Sequence, residues 1–104
     1  AGDKEAADGI YKELVASGKA DTEIYNRLMI AEMEQGNYEE ALQFSGLGQA
    51  LSDDKARKEL RFNEAVCYEY LGQYERALSL FQAYTESYGS EERVEHEITF
   101  LETR

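Results

Sequence analysis

One phrase occurs three times in this chain. Gly2-Asp3-Lys4-Glu5-Ala6-Ala7 returns as Gly36-Asn37-Tyr38-Glu39-Glu40-Ala41 and again as Gly72-Gln73-Tyr74-Glu75-Arg76-Ala77. Its glycines stand 34 and then 36 positions apart (36 − 2 and 72 − 36). A period near 34 marks stacked helical hairpins, each burying its apolar face only against its neighbours. Such arrays present a long grooved surface, and they bind far more often than they catalyse.

The helical period runs throughout. Ala7, Tyr11 and Leu14 form an i, i+4, i+7 stripe, and Ala41, Ser45, Gly48 and Ala77, Phe81, Tyr84 occupy the equivalent places. Gly18 closes a first helix, and Asp21 is expected to cap a second that runs to about Gln35. Gly36 ends that helix; Asn37 is expected to cap the third, with Glu40 completing a capping box. A fourth and longest helix is expected from Ser52-Asp53-Asp54 to Leu71. Gly72 turns the chain into a fifth, ending near Gly89. Ser90 is expected to cap a sixth, with Glu91 and Glu92 at the positive end of its dipole.

Turns this short leave no room for a parallel-sheet crossover, so consecutive helices are expected to be antiparallel neighbours. The 104 residues contain no proline, which suits an all-α domain of about six helices. Gly46 and Gly48 interrupt the third helix at about 1 kcal/mol each relative to alanine. Gly48 lies on the buried stripe and reads as a close approach of backbones. Gly46 has no such reason, which makes the third helix the weakest.

Charge bounds the partners. Asp and Glu number 22 against 11 Lys and Arg, a net charge of −11. That field repels phosphate, and the basic residues are scattered singly, so nucleic acid is not expected. Anionic membrane surfaces are disfavoured likewise, and no apolar run approaches the roughly 18 residues of a membrane span. Another protein or peptide, neutral or basic, is the favoured partner. No signal-peptide pattern opens the chain, though a leader removed before residue 1 would leave no trace; the compartment is open, with the cytoplasm favoured.

Chemistry-bearing motifs are few. Cys67 stands alone between Val66 and Tyr68 and reads as a small buried hydrophobe. His96, with Glu92 and Glu95 at helical spacing, is too thin a set for a metal, and Asp53-Asp54 lacks the pattern of a calcium loop. No nucleophile has a histidine at motif spacing, and no phosphate loop occurs. Pairs such as Glu39-Glu40 point to different helix faces. The sequence therefore implies no enzyme, no catalytic residue, no metal and no cofactor.

The stretch Arg61 to Leu78, followed by Phe81, resembles the tetratricopeptide repeat. It carries the small residue Ala65, the turn glycine Gly72, the aromatic Tyr74, the close-contact Ala77 and the aromatic Phe81. The preceding copy matches through Tyr25, Leu28, Ala31, Gly36, Tyr38 and Ala41. It departs at Met29, Glu32 and Ser45, where the family prefers a small residue, Tyr and an aromatic. Lys19 and Gly89 replace the proline that often separates repeats, and two extra residues lengthen the connection between Leu51 and Lys58.

The resemblance implies a right-handed superhelix of antiparallel hairpins. In its register, residues 1–17 are the second helix of a truncated first repeat, 21–52 a second repeat, 53–88 a third, and 90–104 a C-terminal capping helix. The chain is then expected to be the C-terminal part of a longer array.

The resemblance also implies a concave groove lined by the first helix of each hairpin. Its residues here would be Asn26, Arg27 and Ile30 (beside Glu23 and Met33), then Glu59, Phe62, Asn63, Val66, Glu69 and Tyr70. The last helix would add Phe100, with Arg93, His96 and Glu97. Phe62, Val66, Tyr70 and Phe100 are large apolar groups not needed for hairpin packing, and such clusters mark binding surfaces.

The expected function is binding of a peptide or helix, with Phe62, Tyr70 and Phe100 as anchors and Asn26 and Asn63 reading backbone. Glu23, Glu59 and Glu69 would select a neutral or basic ligand and repel a terminal carboxylate. The alternative is an assembly segment whose stripe of Ile10, Tyr11 and Leu14 self-associates into a homo-oligomer or docks to the rest of a larger protein. A third reading places a small molecule among Phe62, Tyr70 and Phe100.

Overall fold

A computed structural model describes the backbone of residues 2–51 and 54–103, and their side chains apart from those of 2–8 and 54. Among the described residues there are six helices and no strand: α1 Gly2–Ala16, α2 Thr22–Glu34, α3 Tyr38–Gln49, α4 Asp54–Tyr70, α5 Tyr74–Tyr88 and α6 Glu92–Glu102. The chain is all-helical, and α4 is the longest element, as the apolar pattern predicts.

Three of the turns are built alike. After α2, the Asn37 amide bonds the Glu32 carbonyl at 2.9 Å and the Gly36 amide bonds the Met33 carbonyl at 3.0 Å. After α4, Gln73 bonds Tyr68 at 2.9 Å and Gly72 bonds Glu69 at 3.1 Å. Lys19 and Gly18 repeat the pair after α1, on Leu14 and Val15. This double bond satisfies the last carbonyls of a helix and requires a left-handed residue, which Gly36 (φ 81°) and Gly72 (φ 80°) supply without a Cβ clash.

The fourth turn differs. Gly89 has φ 89° and ψ 172°, a region open essentially to glycine alone, and its amide bonds the Thr85 carbonyl at 2.8 Å. The chain therefore runs on extended before α6 begins.

Two expected caps are corrected. Asn37 makes no side-chain cap bond, and its amide group donates to Glu32 Oε2 at 3.1 Å. Its backbone (φ −91°, ψ 66°) closes the preceding turn and lies outside the extended geometry a cap needs. Ser90 falls one residue too early, because the extended Gly89 delays the helix; its hydroxyl donates to Glu95 Oε1 at 2.9 Å, and Glu91 takes the cap position. Asp21 does cap α2, accepting from the Ile24 amide at 2.9 Å. The cap expected at Ser52 and Asp53 lies outside the described residues.

The helices bury two cores that share α4. Met29, Ala41, Leu60 and Cys67 form one, between α2, α3 and α4. Ala65, Ala77, Phe81, Tyr84, Val94 and Leu101 form the other, between α4, α5 and α6. The whole measures 42 × 28 × 19 Å with a radius of gyration of 14.2 Å, against about 13 Å for a compact domain of this length. A thickness of 19 Å holds two helices and no more.

Gly48 marks the tightest point of the first core. A Cβ there would lie 2.5 Å from Leu60 Cδ1 and 2.9 Å from Tyr25 Cβ, so only glycine lets α3 settle against α2 and α4. Gly46 faces open space. One turn earlier, buried Ser45 Oγ accepts from Gln49 Nε2 at 2.7 Å, and Gln49 also reaches Glu64 Oε2 on α4 at 3.1 Å. A polar latch thus occupies the place where the repeat phrase elsewhere puts the aromatic Phe81.

Cys67 is fully buried, and that burial, with the nearby Glu64 charge behind it, pushes its thiol up to about 12. At neutral pH almost no thiolate forms, and thiolate is the reactive species. A disulfide reagent should accordingly leave the native protein unlabelled and modify one thiol after denaturation. Rapid labelling of the folded chain would contradict the packing of α4.

Candidate functional site

The exposed large hydrophobic groups do not form one continuous groove. Tyr70, Tyr74 and Phe100 gather at one end of the second core, 66%, 38% and 41% exposed. With Glu69, His96 and Glu97 they line a cavity of about 460 Å³ where α4, α5 and α6 meet. It is a shallow depression, open to solvent over much of its extent.

The turn at Gly72 explains why these rings converge. Tyr70 is the last residue of α4 and Tyr74 the first of α5, so the tight turn holds both at the same end of the pair. Tyr70 is fixed further by stacking on Tyr38, with ring centroids 4.8 Å apart and planes 5° from parallel. Tyr38 and Tyr74 are equivalent in the repeat, each following a turn glycine by two positions. Tyr70 covers one face of Tyr38, which lines a smaller cavity of about 300 Å³ with Asn37 and Leu71. Beside Tyr74, α6 brings Phe100 and Glu97 instead, and the larger cavity opens.

The connection at Gly89 is the cause of that difference. α2 and α4 lie side by side along their backbones, whereas α4 and α6, among the described residues, meet through side chains alone. α6 is packed onto α5 through Val94, Ile98 and Leu101. Its first turn is pinned to α4 by Arg93, which donates to Glu59 Oε1 at 3.1 Å, Glu91 Oε1 at 3.2 Å and the Tyr84 hydroxyl at 3.2 Å. The Arg93 guanidinium also lies 3.9 Å from the centre of the Phe62 ring. Burial opposes its charge, but the bonds to Tyr84 and Glu59 outweigh that and raise its pKa. Lys58 closes the network with a 2.7 Å ion pair to Glu91, which holds the Glu91 carboxyl below its ordinary range.

This network revises the roles expected of several groove residues. Phe62 is half-buried, edge-on to Phe81 at 5.7 Å and Tyr84 at 6.2 Å, and covered by Arg93. Val66 packs against the same core. Both serve hairpin packing, contrary to the expectation that they stand free. Asn63 donates to Asn26 Oδ1 at 3.0 Å, a bond that joins α4 to α2. Glu59 is bound to Arg93.

Arg27 is exposed and paired with Glu23 at 2.9 Å; that bond first, with Tyr11 nearby, raises its pKa. Ile30 is exposed on α2, away from the cavity. Of the expected groove residues the structure brings together Glu69, Tyr70 and Phe100, with His96 and Glu97. Tyr74 and the supporting Tyr38 belong to the repeat signature, and their position just after each turn glycine is the signal in the sequence for this end of the hairpins.

On α1, Ile10 is 58% exposed while Tyr11 and Leu14 are half-buried. No helix among the described residues is long and apolar enough to cross a membrane. Comparison with family models, curated proteins and solved structures found no match.

Proposed function

We propose that this chain is an interaction module built of tetratricopeptide-like hairpins, and that it binds a peptide or amphipathic helix through the aromatic cavity. In this reading α2–α3 and α4–α5 are antiparallel hairpins of a right-handed superhelix, α1 is the second helix of an earlier hairpin, and α6 is the terminal helix. Three turns of equal construction, a repeat near 34 residues and two cores sharing one helix support it. No catalytic role is assigned.

The observation that carries the binding reading is the cavity itself. Three large rings stay exposed around about 460 Å³, in a protein whose other aromatic residues are mostly packed. Concave apolar sites with a few polar groups are where partners insert side chains. Selection from a displayed peptide library should return binders for the wild type that are lost with Tyr70→Ala/Phe100→Ala. The variant should keep its helical spectrum, and loss of the Tyr70–Tyr38 stack should lower its melting temperature by only about a few degrees. Retention of every binder by that variant would remove the proposal.

Exposed Ile10 supports a second reading, assembly through α1. Native mass that rises with concentration, and that Ile10→Glu abolishes without touching peptide selection, would favour it.

A further inference from the structure

Independently of the binding reading, we propose that Tyr38 and Tyr70 form an oxidative cross-linking site, at which a peroxidase acting with hydrogen peroxide joins the two rings as dityrosine. The rings are stacked, with centroids 4.8 Å apart and planes 5° from parallel. In a directly bonded pair of rings the centres stand about as far apart as these do, so coupling requires the rings to swing and not to approach. Tyr70 is 66% exposed and ends α4, which leaves it room to swing. Reacting groups already held in contact combine without a collision, which favours a link within the chain over one between chains.

The chemistry balances within the pair. Each phenol gives up one electron and one proton, leaving a radical shared between its oxygen and its ring carbons. The para carbon carries the side chain, so the free ortho carbons couple, and the two unpaired electrons become one carbon–carbon bond. A proton then moves from each joined carbon to its oxygen and restores both phenols. The chain loses two hydrogen atoms, and the peroxide that takes them becomes two molecules of water.

The surroundings single out this pair. Tyr84 and Tyr88 lie at a similar distance, 4.9 Å, with planes 58° apart. Tyr84 is buried, however, and its hydroxyl donates to Glu91 and accepts from Arg93. Lys58 Nζ lies 6.0 Å and 5.8 Å from the centres of those two rings, and a positive charge resists removal of an electron. Tyr38 instead shares its cavity with Glu39 and Glu40, whose negative charge eases that removal.

The new bond ties the first residue of α3 to the last of α4, 32 positions on (70 − 38). It therefore staples neighbouring hairpins together. Closing a loop of that length restricts the unfolded chain, as a disulfide does.

Treatment of the whole chain, at low concentration, with a haem peroxidase and hydrogen peroxide tests this by intact mass, peptide mapping and melting. The product should be a monomer lighter by two hydrogen atoms, with dityrosine fluorescence and a linked peptide pair carrying Tyr38 and Tyr70. Its melting temperature should rise by roughly 10 °C or more. Tyr38→Phe and Tyr70→Phe keep the ring and remove the phenol, so each should abolish the intrachain link. Tyr88→Phe should leave it unchanged.

A link mapped to another tyrosine pair would overturn the assignment, as would one that survives Tyr70→Phe. So would a product made only of covalent dimers, or loss of the Cys67 thiol with Tyr38 and Tyr70 still unlinked.

Discussion

Gly48→Ala should destabilise the protein by about 1–2 kcal/mol, even though alanine is the better helix former by about 1 kcal/mol. The added methyl would lie 2.5 Å from Leu60 Cδ1 and 2.9 Å from Tyr25 Cβ. Leu60 is fully buried and has little room to retreat, and a Cβ moves only with its backbone. α3 would have to back away from both α2 and α4. Gly48→Val should cost more, about 3 kcal/mol, since it adds β-branching to the same clash.

Gly46 supplies the opposite sign on the same helix. It faces open space, so Gly46→Ala should stabilise by up to about 1 kcal/mol. In a domain of this size each kcal/mol moves the melting temperature by roughly 4–8 °C. Thermal unfolding of the two variants should therefore diverge in opposite directions. If Gly48→Ala melted as high as Gly46→Ala, the close approach at α3 would be wrong.

Arg93→Ala should release the first turn of α6. It removes bonds to Glu59, Glu91 and Tyr84 and uncovers Phe62 at once. Arg93 is substantially exposed, so solvent screening trims the expected loss to about 1–2 kcal/mol. The sharper readout is local: amide exchange should accelerate in α6 and leave α2 and α3 unchanged. Uniform acceleration across all helices would mean that α6 is not pinned separately.

Acid should weaken the same joint. The folded state holds Glu91 below its ordinary value near 4.5, mainly through Lys58, with Tyr84 and Arg93 adding to it and burial opposing. As pH falls from that value, the unfolded chain takes up the proton first. The stabilisation is intact above about pH 4.5 and lost as pH drops through the depressed value. Glu91→Gln should flatten that part of the pH–stability curve.

Much of the fold was legible because its punctuation is glycine. Gly18, Gly36, Gly72 and Gly89 all adopt positive φ, and glycine is the residue such turns select. Gly48 was legible for a second reason, its place on a buried stripe. The caps at Asn37 and Ser90 were misread because a cap depends on backbone geometry, which the preceding turn fixes. Residue type alone does not reveal it.

The candidate site was legible in part. Glu69, Tyr70 and Phe100, expected in one groove, line one cavity together. Phe62 was not legible, because its covering group, Arg93, is 31 residues away (93 − 62) on another helix. Nor does any spacing show that Asn26 and Asn63 bond each other. Tyr74 is the signature aromatic after a turn glycine, and its place at the cavity depends on how α6 stands off from α4, which the repeat does not encode.

The sharing of α4 between two cores makes damage unequal along the chain. Losing α1 leaves both apolar clusters whole, and losing α6 exposes only one of them. A lesion in α4 takes a wall from each, because Leu60 and Cys67 serve one cluster while Ala65 serves the other. The three residues lie within eight positions of each other (67 − 60 + 1), on a single stretch of two turns. That stretch is the keystone against which selection and accident would both be felt first.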